Sequence, residues 1–71
     1  MQRRTVSSTN IASIGYDAEH KILEVEFLDR SIYQYFDVPQ SLYQGLISAS
    51  SHGSYLATYI KKGRFTYKQI A

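Results

Sequence analysis

A chain of 71 residues allows one domain with one modest core. The absence of cysteine excludes disulfide staples, thiolate metal sites and thiol nucleophiles, and no apolar run approaches the roughly 20 residues needed to span a bilayer. The net charge of +2, from eight basic and six acidic residues, excludes the strongly basic or acidic classes, although the two signs are segregated along the chain.

Residues 1–10, "MQRRTVSSTN", form a basic N-terminal segment ahead of a single domain over 11–71. No apolar stretch follows Arg3 and Arg4, so no secretory signal is expected and a soluble cytoplasmic protein is the default. "IASIGY" (11–16) reads as a strand, with Ala12, Ile14 and Tyr16 in one row and Ile11, Ser13 and Gly15 in the other. "KILEVEF" (21–27) alternates more cleanly, setting Leu23, Val25 and Phe27 against Ile22, Glu24 and Glu26. "SIYQYF" (31–36) places Ile32 and Phe36 opposite Tyr33 and Tyr35. The separators "DAEH" and "LDRS" are short and polar, which suits consecutive antiparallel hairpins.

A two-residue turn at Asp29-Arg30 pairs Phe27 with Ile32 and Leu23 with Phe36, gathering apolar residues on one face. The same register sets Glu26 beside Tyr33 and Glu24 beside Tyr35, so both tyrosines face away from the core. A four-residue loop at "DAEH" brings Ile14 next to Leu23 and Ala12 next to Val25.

The second half reads as helical. Pro39 suits a helix start and keeps Val38 extended, and Leu42, Tyr43, Leu46 and Ile47 recur at helical spacing. Gly45 costs that helix about 1 kcal/mol relative to alanine, which points to a close packing contact. Ser50 or Ser51 caps a second short helix bearing Leu56 and Ile60, and Gly63 ends it. "RFTYKQI" alternates again, as a fourth strand would. The expected class is therefore α+β: a three-stranded antiparallel meander, two short helices and a possible C-terminal strand. Its expected core is Ile14, Leu23, Val25, Phe27, Ile32, Phe36, Leu42, Leu46, Leu56 and Ile60.

In order along the chain stand Ser7-Ser8, the run Ile11 through Asp17, Leu23-Val25-Phe27, Tyr33-Tyr35, Val38-Pro39 and Ala49-Ser51-Gly53. This series resembles the KTSC domain, a small module found at the C-terminus of some lysyl-tRNA synthetases and as stand-alone bacterial proteins. One departure is the hairpin turn, where the family usually carries glycine after Leu28 and this chain has Asp29-Arg30; a type I′ turn wants positive φ at both central positions. The resemblance implies a bacterial, non-enzymatic module for which RNA binding is the suggested role.

The residues themselves offer little catalysis. His52 follows Ser50 and Ser51, but neighbours at a helix start ordinarily serve as caps, and a serine nucleophile needs a base and an orienting third group in reach. His20 and His52 have no metal-ligand spacing with each other, so no metal and no cofactor is expected. The better lead is Tyr33 and Tyr35. Paired rings on a sheet either pack as ordinary strand formers or stack unpaired bases, as sheet-based RNA binders do. The phosphate contacts would come from Lys61, Lys62, Arg64 and Lys68. Against that reading stand Glu24 and Glu26, placed beside the rings, where carboxylates repel phosphate. The alternative is a protein-interaction or self-association (dimer) module using a free sheet edge and surface tyrosines, of which the chain has seven in all.

Overall fold

The computed structural model describes all 71 residues. One antiparallel sheet holds five strands in chain order: β1 (Arg3–Thr5), β2 (Ile11–Asp17), β3 (Ile22–Phe27), β4 (Ile32–Tyr35) and β5 (Tyr67–Gln69). Between β4 and β5 the chain forms α1 (Gln40–Ser48) and α2 (His52–Tyr55), and α2 runs on as a π-helical stretch through Leu56–Lys61. The class is α+β as expected, with five strands in place of three. β5 is the anticipated C-terminal strand. β1 arises within the basic N-terminal segment, where "RRT" carries no apolar alternation that could announce it. No helix is long and apolar enough to cross a membrane.

The helices cover one face of the sheet. Ile11, Ile14, Leu23, Val25 and Tyr35 from the strands meet Val38, Leu46, Leu56 and Ile60 from the other layer, and all are buried. Of the expected core, Ile14, Leu23, Val25, Leu46, Leu56 and Ile60 lie there, with Phe27 and Leu42 partly buried against it. Ile32 and Phe36 do not: both are only half-buried.

The reason is a one-residue change of register in the β3–β4 hairpin. Leu23 pairs with Tyr35, Val25 with Tyr33, and Glu26 with Ile32. The loop has three residues, Leu28 to Arg30, closed by Arg30 N–H to Phe27 O at 2.9 Å and Phe27 N–H to Ser31 O at 2.9 Å. Arg30 takes the left-handed conformation (φ 74°), so the turn needs one positive φ rather than the two of a type I′ turn. The Asp29 carboxylate accepts from the Ser31 N–H and hydroxyl and holds the loop. Because side chains alternate with period two, this single slip turns Tyr33 and Tyr35 to the core face.

Between β2 and β3 the expected face survives with a shifted register. Ile14 pairs with Val25 and Tyr16 with Leu23, while an irregularity between Ile11 and Ser13 lets Ile11 sink into the core where Ala12 was expected. The Tyr16 ring stacks on Tyr43 of α1 with centroids 4.9 Å apart, and its hydroxyl donates to Val38 O.

Helix boundaries follow the sequence reading closely. Pro39 is the N-cap of α1 with an extended backbone, and Ser51 caps α2 by accepting from the Ser54 N–H at 3.3 Å. Gly45 faces α2 as a close contact should, since a Cβ there would overlap the Tyr55 phenol. Gly63 differs from expectation. Its φ is not positive, and the left-handed residue that turns the chain toward β5 is Arg64 (φ 64°).

The opposite face of the sheet carries a polar row. Arg3, Gly15, Glu24, Gln34 and Lys68 are successive cross-strand partners from β1 to β5. The Arg3 guanidinium crosses over Gly15 to pair with Glu24, and its Nε donates to the Ser13 hydroxyl at 2.9 Å. A Cβ on residue 15 would stand 2.8 Å from Gln2 O and 2.9 Å from Arg3 Cγ. Gly15→Ala is therefore expected to lift β1 off the sheet, at about 1–3 kcal/mol for the overpacking. Hydrogen exchange checks this: the amides that link β1 to β2 should lose protection while those linking β3 to β4 keep theirs.

Candidate nucleic-acid interface

The helices do not cover the whole core face. Where β3, β4 and β5 run past them, a cavity of about 420 Å³ opens, lined by Phe27, Tyr33, Tyr35, Ile60, Lys61, Phe65 and Tyr67. Its floor is a cross-strand pattern. Tyr35 pairs with Tyr67 and Tyr33 with Gln69, so three tyrosines share one patch of sheet. The Tyr33 and Tyr35 rings lie nearly parallel at 6.5 Å, and Tyr67 is tilted against them at 6.1 and 5.9 Å. Phe27 meets Tyr33 edge-on at 5.8 Å. These separations suit mutual aromatic packing and leave the Tyr67 ring, 64% exposed, open to further stacking.

The three rings differ in role. Tyr35 is buried and belongs to the core, Tyr33 is half-buried, and Tyr67 is exposed. Burial, followed by the neighbouring Tyr33 and Tyr67 phenols, pushes the Tyr35 hydroxyl above the ordinary tyrosine value. The Tyr33 hydroxyl donates to Gln69 Oε1 at 3.1 Å, which ties β4 to the end of β5.

Of the four cations expected at the rings, Lys61 reaches the cavity, its Nζ 5.3 Å from the centre of the Phe27 ring. Lys62 and Arg64 are exposed on the turn after the helical stretch and do not line it. Lys68 pairs with Gln34 and lies on the opposite face, in the polar row. Phe27, Ile60, Phe65 and Tyr67 are the lining residues that the sequence reading left out of the site. The shared parity of Phe65 and Tyr67 with Gln69 in "RFTYKQI" was the available clue.

The two glutamates keep the face expected of them, opposite the core, and it is the tyrosines that leave it. Glu24 and Glu26 project to the far face, where Glu24 accepts from Arg3 and, at 2.8 Å, from Gln34 Nε2, and Glu26 accepts from the Ser13 hydroxyl at 2.8 Å. No carboxylate lines the aromatic cavity. The register change that turned the tyrosines inward also removed the negative charge from beside them.

The histidines are both braced by the backbone or a turn. His20 Nδ1 lies 2.9 Å from Asp17 Oδ2 on the exposed β2–β3 turn, and that hydrogen bond is the main cause holding the Asp17 carboxyl below its usual range. Asp17, Glu19 and His20 bring ligand atoms within 4.8 Å of one another, but Asp17 also accepts the N–H groups of Glu19 and His20, which makes it the organiser of a turn. His52 Nδ1 sits 2.7 Å from Leu46 O at the end of α1, and Ser51 is engaged as the cap.

Comparison with known proteins gives concordant findings. The family model described as "KTSC domain" matches residues 7–67. A protein of Stutzerimonas stutzeri described as uncharacterized is 37% identical over 70 residues, covering 99% of both chains. The lysine–tRNA ligase of Nostoc punctiforme is 34% identical over 61 residues, which are 86% of this chain and 11% of the ligase. Among solved structures, a KTSC domain protein from Yersinia pestis is similar with a TM-score of 0.92 and 41% identity, covering 99% of this chain and 97% of that one.

Proposed function

The chain belongs to the KTSC domain family, whose function is unknown, and on that premise we propose that it is a non-enzymatic module binding single-stranded RNA through the aromatic cavity. The observation that carries this reading is the Tyr33–Tyr35–Tyr67 patch with Lys61 at its rim and no carboxylate in its lining. Unpaired bases present π-faces to such a patch, and each stacked base contributes about 1–3 kcal/mol. The volume lies within the range of about 300–1,000 Å³ typical of ligand sites. The similarity to part of a lysine–tRNA ligase is compatible with an RNA ligand and with a cytoplasmic setting.

Titration of a mixed single-stranded RNA pool at about 150 mM salt tests the reading. Tyr67→Ala is expected to weaken binding by about 1–3 kcal/mol with the salt dependence unchanged, because it removes a stacking ring and no charge. Lys61→Ala should instead flatten the slope of log affinity against log salt by roughly 0.7, one phosphate's worth. Lys68→Ala, on the far face, serves as the control and should leave the slope as it was. No binding at low salt, where the electrostatic attraction is greatest, would rule RNA out. The sheet edge at β5, with Tyr67 and Ile70 exposed, would then be the better account as a surface for another protein or a second copy.

A further inference from the structure

Two sequence features remain outside the aromatic cavity: the Ser7-Ser8 pair and the Ala49-Ser51-Gly53 link. They are more than forty residues apart in the chain and meet in the fold. A second cavity of about 340 Å³ is lined by Ser7, Ser8, Thr9, Ser50, Ser51 and His52, with no apolar or formally charged side chain among them. The seam is tight because Gly53 has no Cβ; one there would stand 2.6 Å from the Asn10 amide oxygen. On its other side this segment is tied to the β3–β4 hairpin by Leu28 N–H donating to Asn10 O at 3.0 Å.

The hydrogen-bonding capacity of that cleft is specific. Ser7, Thr9 and Ser50 make no side-chain hydrogen bond within the protein, and Ser51 accepts the Ser54 N–H while keeping its own hydrogen to donate. Since a carbonyl only accepts, His52 Nδ1 carries the proton that goes to Leu46 O, and a neutral ring therefore offers Nε2 as an acceptor. The cleft thus mixes donors and acceptors and contains neither lysine nor arginine.

A third, shallower depression of about 290 Å³ borders both. It is lined by Thr9, Asn10, Phe27, Leu28 and Asp29, sharing Phe27 with the aromatic cavity and Thr9 with the hydroxyl cleft. Asp29 Oδ1 takes both bonds from Ser31, which leaves Oδ2 open. A carboxylate at this point repels phosphate and accepts from a hydroxyl.

We infer that the hydroxyl cleft and the Asp29 depression form a sugar-reading extension of the aromatic cavity, in which a single strand crosses with its riboses turned to the protein and its phosphates turned to solvent. Resting on the RNA reading, this assigns the site a ligand class: ribonucleotide strands in preference to deoxyribonucleotide strands. The 2′-hydroxyl, both donor and acceptor, is the group that distinguishes them, and it matches Asp29, Thr9, Ser50 and His52.

The test compares fluorescence anisotropy of labelled RNA and DNA of one mixed sequence, about 12 nucleotides long, within the span of single-strand sites. The parent should bind RNA roughly tenfold more tightly than DNA, the equivalent of one or two hydrogen bonds to the sugar. Asp29→Asn, which keeps an oxygen for Ser31, and Thr9→Val, on an exposed position, should each narrow the preference for RNA over DNA without weakening DNA binding. Single 2′-deoxy substitutions in the RNA should reproduce the loss at one or two positions without altering the protein. Tyr67→Ala, by contrast, should weaken both nucleic acids alike. Equal parent affinities, or variants that weaken RNA and DNA together, would overturn the sugar-reading extension while tyrosine-dependent binding kept the cavity reading intact. Failure of the parent to bind either nucleic acid would remove both.

Discussion

Val25→Asp is expected to leave the chain unfolded in conditions where the parent is native. Val25 has no exposed surface and sits in the middle strand between Ile14 and Tyr33, beneath the helical layer. No basic side chain belongs to the buried cluster around it, so the new carboxylate would be unpaired. Burying such a charge costs several kcal/mol, against a total of roughly 5 kcal/mol for a domain this small. Far-ultraviolet circular dichroism and amide dispersion in a proton spectrum would both report the collapse. Glu24→Ala, one residue away on the opposite face, is the informative control. It strips Arg3 and Gln34 of a shared acceptor, at about 1–3 kcal/mol, and should remain folded. Equal melting of the two variants would mean that the faces of β3 are assigned the wrong way round.

The second large effect is at Tyr35. Truncation to alanine removes a buried ring packed among Tyr33, Tyr67 and the core, and is expected to cost about 3–5 kcal/mol of stability. That is close to the whole stability of the fold, so Tyr35→Ala measures folding, and the exposed Tyr67 is the position that measures binding. Tyr35→Phe keeps the ring and should stay folded. It also isolates a pH effect. Burial, then Tyr33 and Tyr67, raises the Tyr35 phenol in the native state above the unfolded value of about 10. The native state therefore holds its proton to higher pH than the unfolded chain. The corresponding stability is fully present below about pH 10 and is lost as pH rises through the native value. Tyr16, raised chiefly by burial and then by Asp17, contributes in the same direction. Melting temperatures followed upward from about pH 9 should fall for the parent and fall less steeply for Tyr35→Phe. Identical slopes would show that the Tyr35 ring ionises as freely in the native protein as in the unfolded one.

The register of one hairpin decides most of what this surface can do. With a two-residue turn, Glu24 and Glu26 would flank the tyrosines and repel a phosphate backbone. With the three-residue loop, Gln34 pairs with Glu24, the carboxylates join Arg3 and Ser13 on the far face, and the rings gather over β3–β5. "SIYQYF" is apolar or aromatic on both of its faces, so hydrophobic alternation alone does not choose between the two arrangements. The local chemistry does: Asp29 can hold Ser31 by both its N–H and its hydroxyl, and one left-handed residue, Arg30, then suffices to close the loop.

By itself, the sequence determined much of what depends on neighbours along the chain, the β3–β4 loop and the turn at Arg64 excepted. The alternation of "KILEVEF", the Val38-Pro39 helix start, the Ser51 cap, the Gly45 contact and the return of "RFTYKQI" as a strand all express local geometry and period, and each stands in the structure. The order of the family motifs was legible for the same reason, since it is a property of the linear chain. Only the tertiary structure decided what depends on distant partners. β1 exists because Arg3 can cross Gly15 to reach Glu24, a contact spanning 21 residues that no window of the chain contains. Tyr67 joins Tyr33 and Tyr35 because β5 returns to β4 after two helices, and Lys61 reaches the rings while Lys68 does not because a strand sends alternate side chains to opposite faces. Charge and aromatic content are countable in a sequence, but which of them share a surface is set by register and packing.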